Sequence, residues 1–411
     1  MAKLKIMQVG IGGYGVGYLE PMLDSLPNDR YELAGVVDPM ADSSPLYPRL
    51  LEKGIPVHST IEAFYAASAA DLAVVAAPIG FHRFYTVYAL EHGSHVLCEK
   101  PVAGALQDAE AMREAEIKSG RFVSVGFQWS FSEATLAAKR DCLSSGFGKP
   151  TLFKTLVLWS RGWSYYARNN WAGKLRDARG NWVLDSVAQN ATAHYLHSMY
   201  FMCGGAPQTS ARPLALQGEL YRANDIENFD TCALRARTDA GCDVLFWASH
   251  AVEGHDGPAF EYRFEKAKLV YNASPAVQPN RLAAVFPDGS VRDYGNPDPG
   301  TYAKVLSCLD AIESGRPAPC GIEAAIPHLF TINFLGDNVP IRSFPKASVV
   351  SDVENKRTCV PGLADALARC CDEEKLPHEL GYPWAAPSPL LDATGYEEFK
   401  GRLFGEGGAE R

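Results

Sequence analysis

The feature that most constrains this chain is an apolar run, Leu4–Val9, followed at once by Gly10-Ile11-Gly12-Gly13-Tyr14-Gly15. A G-x-G-x-x-G turn alone is a weak signal, because glycines are common in turns. Its force comes from context: a strand-like run precedes it, a helical stretch follows, and a second apolar run, Tyr31–Val37, closes on Asp38. The rhythm then repeats. The run LAVVAA over 72–77 ends at Pro78, a helix is expected over about 81–92, and SHVLC follows over 94–98. A further helix is expected over 106–119, then the run RFVSVG over 121–126. Strands alternating with helices of about 10–15 residues imply βαβ units and a parallel sheet covered on both faces. Residues 1–127 therefore read as a doubly wound Rossmann domain, with Pro21 expected to kink or interrupt its first helix.

Each glycine of the turn has a physical task. Gly10 permits the tight turn, Gly12 lets a pyrophosphate approach the backbone, and Gly15 lets helix and strand pack closely. With Ile11, Gly13 and Tyr14 they form a loop that presents backbone N–H groups and a helix N-terminus to a diphosphate. Asp38 lies 23 residues after Gly15, placed to bind the adenosine ribose hydroxyls. A carboxylate there repels a 2′-phosphate, so NAD is favoured over NADP.

Composition narrows the remaining classes. Lys and Arg number 39 against 48 Asp and Glu, a net charge of −9, which argues against a nucleic-acid coat or a polybasic membrane binder. No run of about 18 uncharged apolar residues is present, and the first residues lack the apolar region of a secretory signal, so a soluble, cytoplasmic protein is expected. The ten cysteines are scattered without a Cys-x-x-Cys, which predicts buried free thiols. His194 and His197 lack a third local ligand, and no metal site is expected.

Directly after HVLC stands Glu99-Lys100-Pro101. Proline bars the preceding residue from the helical region, which keeps Lys100 extended at the carboxyl edge of the sheet, where ligands bind in open α/β folds. A lysine there can exchange a proton with a substrate hydroxyl. In order, VGIGGYG, VVDP, AAPIGFH, HVLCEKP and VGFQWSF closely resemble the glucose–fructose oxidoreductase/inositol dehydrogenase/MocA family over about residues 4–340. The resemblance implies a Rossmann domain followed by an α/β domain with a large, mostly antiparallel open sheet that usually supplies a homodimer or homotetramer interface. It also implies NAD(P)-linked oxidation or reduction of a sugar, sugar acid, glycoside or cyclitol. Lys100 matches the family's catalytic lysine, Pro78 and His82 match positions that line the dinucleotide, and Glu99 joins the cofactor candidates.

The second domain is expected over 128–340, with strands over 151–159, 231–236, 244–249 and 260–264 and a returning helix over about 302–314. Residues 341–411 read as a C-terminal extension packing back on the body, with Gly405–Arg411 frayed. In the family one helix carries Asp-x-x-x-His; here Asp185 is present, but Gln189 takes the histidine position. Glutamine cannot titrate. Five residues on, His194 shares a helical face with Asn190 and His197 at i, i+4, i+7, which makes it the acid/base candidate beside Lys100 and Asp185. Trp159, Trp163, Trp171 and Trp182 are four of the seven tryptophans and lie within one aromatic stretch, interleaved with polar residues. Such interleaving suits a sugar, because flat rings cover C–H faces while polar groups read hydroxyls. Trp129, Arg161, Arg168, Asn170, Trp171, Lys174, Gln189 and Asn190 are the substrate candidates, and the arginines leave room for a carboxylate or phosphate. Two other readings stay open: a glycosidase or lyase that oxidises its substrate transiently without net redox, and a non-catalytic dinucleotide-binding regulator.

Overall fold

The computed structural model describes residues 2–144 and 146–403, so the expected frayed end at Gly405–Arg411 lies outside the described residues. The chain forms two compact units. Unit 1 takes Met1–Ala103, Gln107–Ser132 and Asp298–Ile326; unit 2 takes Gly104–Leu106, Glu133–Pro297 and Pro327–Arg411.

Unit 1 is built on six parallel strands: β1 (Leu4–Val9), β2 (Tyr31–Val37), β3 (Val57–His58), β4 (Leu72–Val75), β5 (His95–Cys98) and β6 (Val123–Val125). Their spatial order is β3-β2-β1-β4-β5-β6, the doubly wound arrangement whose order reverses between β1 and β4. All four residues of β4 are buried, as a strand covered on both faces requires. The first helix, Val16–Asp24, carries Pro21 inside it, so of the expected kink or interruption the interruption does not occur. The helix Tyr302–Ser314 returns to this unit and packs on Val16–Asp24.

Unit 2 carries a ten-stranded sheet: β7 (Pro150–Trp159), β8 (Pro213–Arg222), β9 (Thr231–Thr238), β10 (Asp243–Ser249), β11 (His255–Phe264), β12 (Lys268–Tyr271), β13 (Leu282–Val285), β14 (Val291–Gly295) and β15 (Ile341–Ser343), with a short strand at Leu391–Asp392 added to β8. Most pairings are antiparallel; β7 with β10 and β8 with β15 are parallel. Residues beyond 340 pack within this unit. Leu363, Leu367 and Cys370 of the helix Leu363–Glu373 join one buried cluster with Leu156, Leu158, Leu245 and Trp247. The chain thus covers part of its own sheet face with its C-terminal segment.

All ten cysteines are free thiols. Among the described residues no helix is long and apolar enough to cross a membrane, and no group of three His, Cys, Asp or Glu side chains is placed to hold a metal ion.

Candidate functional site

In unit 1 the turn after β1 has the geometry that its glycines foretold. Gly10 sits at φ +79°, and a Cβ there would lie 2.6 Å from the Ala76 carbonyl oxygen. A Cβ on Gly15 would collide with the Gly10 carbonyl, whereas one on Gly12 meets nothing within 4 Å. The loop is therefore closed beneath and open at Gly12, the shape that a diphosphate needs. Asp38 follows β2 as expected. Its oxygens accept the backbone N–H groups of Ile11 (2.9 Å) and Met40 (2.8 Å), which ties the end of β2 to the glycine turn. Sequence reading missed Gln8. Buried in β1, it donates from Nε2 to the carbonyls of Gly10 (2.9 Å) and Gly15 (2.8 Å), bracing the loop from behind. A lone glutamine within the apolar run Ile6–Val9 of a central strand was the available signal. Tyr14 is about half exposed at the loop tip, and its hydroxyl donates to Gln128 at 3.0 Å.

Pro78 follows β4 on the exposed side of the strand ends. His82 is 1% exposed, with ring nitrogens 2.9 Å from the Ala77 and Pro101 carbonyl oxygens. It bridges the chain after β4 to the chain after β5; burial, partly offset by those carbonyls, lowers its pKa.

Lys100 follows β5 and is half-buried. Its backbone N–H donates to Glu99 Oε2 at 3.0 Å. Glu99 also accepts short hydrogen bonds from the Tyr18 hydroxyl and from the ammonium of Lys304, itself fully buried. Burial alone would raise the Glu99 pKa; the Lys304 charge and hydrogen bond, with Tyr18 and Lys100, outweigh it and lower it. The Lys304 Nζ lies 4.7 Å from the Tyr18 ring centroid and 5.0 Å from that of Tyr14, so a buried cation clamps both the Glu99–Lys100 turn and the glycine loop. Lys304 escaped sequence reading because it lies more than 200 residues from its partner. Trp129 lies in a short 3₁₀ turn, Gln128–Phe131, and is half-buried.

In unit 2 the aromatic stretch forms a braced loop. Asp185 is its hub, 2% exposed. Oδ2 accepts the Gly173 N–H (2.6 Å) and the Arg168 guanidinium (3.4 Å), while Oδ1 accepts the Asn190 amide (2.8 Å). Arg168 lies over Tyr165 (3.8 Å to the ring centroid) and Trp171 (5.3 Å). Asn170 is exposed, and Lys174 pairs with Glu227 at 2.9 Å. Gln189 is fully buried.

The expected single helical face does not run through Asn190. Val187–Ala191 forms a π-helical turn, closed by Thr192 N–H to the Val187 carbonyl (3.0 Å), and the α-helix starts at Ala193. Ser186 caps that turn by accepting the Gln189 N–H at 3.1 Å, and Asn190 is drawn to Asp185. His194 and His197 remain on the Ala193–Cys203 helix, His194 half-buried and His197 at 1% exposure with its pKa pushed well down by burial.

Comparison with known proteins follows this division. Residues 4–127 match the profile of an oxidoreductase family with an NAD-binding Rossmann fold, Gfo/Idh/MocA. The chain is 28% identical over 146 residues to 1-carboxy-3-chloro-3,4-dihydroxycyclohexa-1,5-diene dehydrogenase of Comamonas testosteroni, covering 35% of this chain and 36% of that protein. It is 28% identical over 150 residues to inositol 2-dehydrogenase of Pseudomonas syringae, covering 36% and 44%. The matched region thus spans less than half the length of these two curated relatives. The WlbA dehydrogenase of Bordetella pertussis, solved with NADH and UDP-GlcNAcA, superposes with a TM-score of 0.64 at 18% identity, over 80% of this chain and 94% of that one. That likeness is one of fold.

Proposed function

Residues 4–127 match the Gfo/Idh/MocA oxidoreductase family, and from that premise we propose that the chain is a member of the glucose–fructose oxidoreductase/inositol dehydrogenase/MocA family that moves hydride between a nicotinamide dinucleotide and a hydroxyl-bearing carbon of a sugar, sugar acid, glycoside or cyclitol. The observation that carries this reading is the pairing, within unit 1, of a glycine cradle closed behind and open at Gly12 with a lysine held at the end of β5. Gly10–Gly15 and Asp38 would hold the dinucleotide, which when bound supplies the hydride acceptor or donor. Asp38, fixed at the end of β2 by the Ile11 and Met40 N–H groups, favours NAD because its charge repels a 2′-phosphate.

In this proposal Lys100 takes the proton of the substrate hydroxyl as the carbon–hydrogen bond breaks, and returns it in the reverse direction. Glu99 and Lys304 act through position: the Glu99 carboxylate fixes the Lys100 backbone, and Lys304 keeps that carboxylate charged. His194 is the second proton carrier, Gln189 is a buried, non-titrating neighbour, and Asp185 serves as the brace of the substrate loop. The dehydrogenase named in Comamonas and the inositol enzyme named in Pseudomonas support a cyclic polyol or its acid as the substrate class.

The test is purified full-length protein with NAD⁺ or NADP⁺ and a panel of sugars, uronic acids, cyclitols and glycosides, followed by nicotinamide absorbance and product analysis. Steady accumulation of reduced cofactor is expected. A sub-stoichiometric burst with altered sugar products would instead mean internal recycling. Lys100→Met should lower kcat by about 10²–10⁴-fold with dinucleotide affinity within a few fold, and His194→Ala should shift the pH profile of kcat/KM. Full activity in Lys100→Met would remove the lysine from the reaction.

A further inference from the structure

At one end of the unit 2 sheet, β7 runs from Trp159 through Ser160 into Arg161, and its parallel neighbour β10 runs from Ser249 into His250. The Arg161 N–H donates to the His250 carbonyl at 3.2 Å, which sets the two residues side by side. The Arg161 guanidinium carbon lies 4.8 Å from the Tyr165 ring centroid and 5.6 Å from that of Trp159. Two aromatic faces hold a guanidinium in one plane and leave its edge as the recognition surface. Arg168, near the same tyrosine, is paired with Asp185, but Arg161 has no carboxylate partner among the described residues. Asp230 is enclosed by donors from Ala223, Asn224 and Thr231 rather than by either arginine.

Two buried polar atoms of this patch have no hydrogen-bond partner among the described residues: Arg161 Nε and His250 Nε2. Leaving such atoms unpaired is costly, so a concentration of them marks a place built for a polar ligand. His250 Nδ1 lies 2.8 Å from the Trp159 carbonyl oxygen, so the neutral ring carries its proton there and offers Nε2 as an acceptor. Burial keeps the ring neutral, its pKa held down to about 3.

We propose that Arg161 and His250 form a subsite for a hydroxylated carboxylic acid, the guanidinium edge pairing with the carboxylate and His250 Nε2 accepting from a neighbouring hydroxyl. The pairing selects the carboxylate. Arg168 is taken up by Asp185, and Arg161 offers a single unpaired fork that a monoanion matches, whereas a phosphate monoester brings about −1.5 to −2. The neutral histidine adds an acceptor, which suits a hydroxyl and repels a second anionic oxygen. The inference rests on the oxidoreductase reading and narrows its substrate to sugar acids.

The test compares D-glucuronate and D-galacturonate with D-glucose, D-galactose and glucose 6-phosphate, using the full chain. Turnover with NAD⁺ is read beside binding by tryptophan fluorescence. The acids are expected to bind and turn over in preference to the neutral sugars. Arg161→Met and Arg161→Lys should each raise the KM or Kd for the acids by about 10- to 100-fold, the range for loss of charged hydrogen bonds, with little change for neutral sugars. Circular dichroism on both variants separates lost binding from lost folding; Arg161→Lys keeps the charge and stem while losing the fork. Acid binding that depends on Arg161 without turnover of any compound would uphold the subsite and overturn the redox reading. Neutral sugars turned over as well as acids, with Arg161→Lys unchanged, would overturn the subsite and leave the redox reading intact. Tighter binding of glucose 6-phosphate than of the uronates, or no uronate binding at all, would also overturn it.

Discussion

Replacing Lys304 by Met removes a cation that is fully buried against Glu99, whose side chain is only 7% exposed. Breaking a buried ion pair from one side leaves an uncompensated charge and costs about 3–5 kcal/mol. The hydrogen bonds from Tyr18 and from the Lys100 N–H remain on Glu99, so the lower end, about 3 kcal/mol at neutral pH, is expected. The loss must depend on pH. In the native chain the Glu99 pKa is lowered, so its stabilisation is present above the unfolded value, about 4.3, and fades as pH falls through the folded value. Without Lys304, burial dominates and raises that pKa. The folded variant then holds a proton that the unfolded chain has released. Its deficit grows by about 1.4 kcal/mol per pH unit above roughly pH 4.3, until the raised pKa is passed. Urea unfolding of the full chain, followed by far-UV circular dichroism at pH 5 and pH 7.5, measures both quantities. Adding Glu99→Gln to the variant should recover part of the loss and flatten its pH dependence. A deficit under about 1 kcal/mol at pH 7.5, or one equal at the two pH values, would refute the buried-pair reasoning.

Three further perturbations probe the loops. Gly15→Ala should cost about 1–3 kcal/mol, because its Cβ would collide with the Gly10 carbonyl, while Gly12→Ala should stay within about 0.5 kcal/mol of the parent because nothing lies within 4 Å. If Gly12 is the diphosphate approach, calorimetric titration with NAD⁺ should find its affinity lowered at least about tenfold in Gly12→Ala despite the intact fold. Asp185→Ala leaves the Gly173 N–H, the Asn190 amide and Arg168 without their shared acceptor. It should cost about 2–4 kcal/mol in urea unfolding. A loss under about 0.5 kcal/mol would show that the loop is held by other contacts.

What was legible in the sequence was local. The β1 turn, Asp38 and the run into Lys100 are each encoded within a few residues, because a tight turn needs glycine and a covered parallel strand needs an unbroken apolar run. The helix Leu106–Ser119 and strands β7 and β10 also fall within a residue of their expected bounds. What was not legible depends on contacts distant in sequence or on small departures from a regular helix. Lys304 looks like any lysine in an amphipathic helix until the fold brings it to Glu99, 205 residues away. His250 is one histidine after one strand; only the parallel pairing of β7 with β10 sets it beside Arg161. Asn190 illustrates the third kind of failure. A spacing of i, i+4, i+7 presumes a uniform 3.6-residue turn, and the π turn at Val187–Ala191 inserts a wider one. π turns recur at functional sites, and this one contains Gln189. The wider turn breaks the regular spacing from Asn190 to His194, so the shared face no longer argues for His194; what separates the two residues is chemistry, because an amide cannot titrate and an imidazole can.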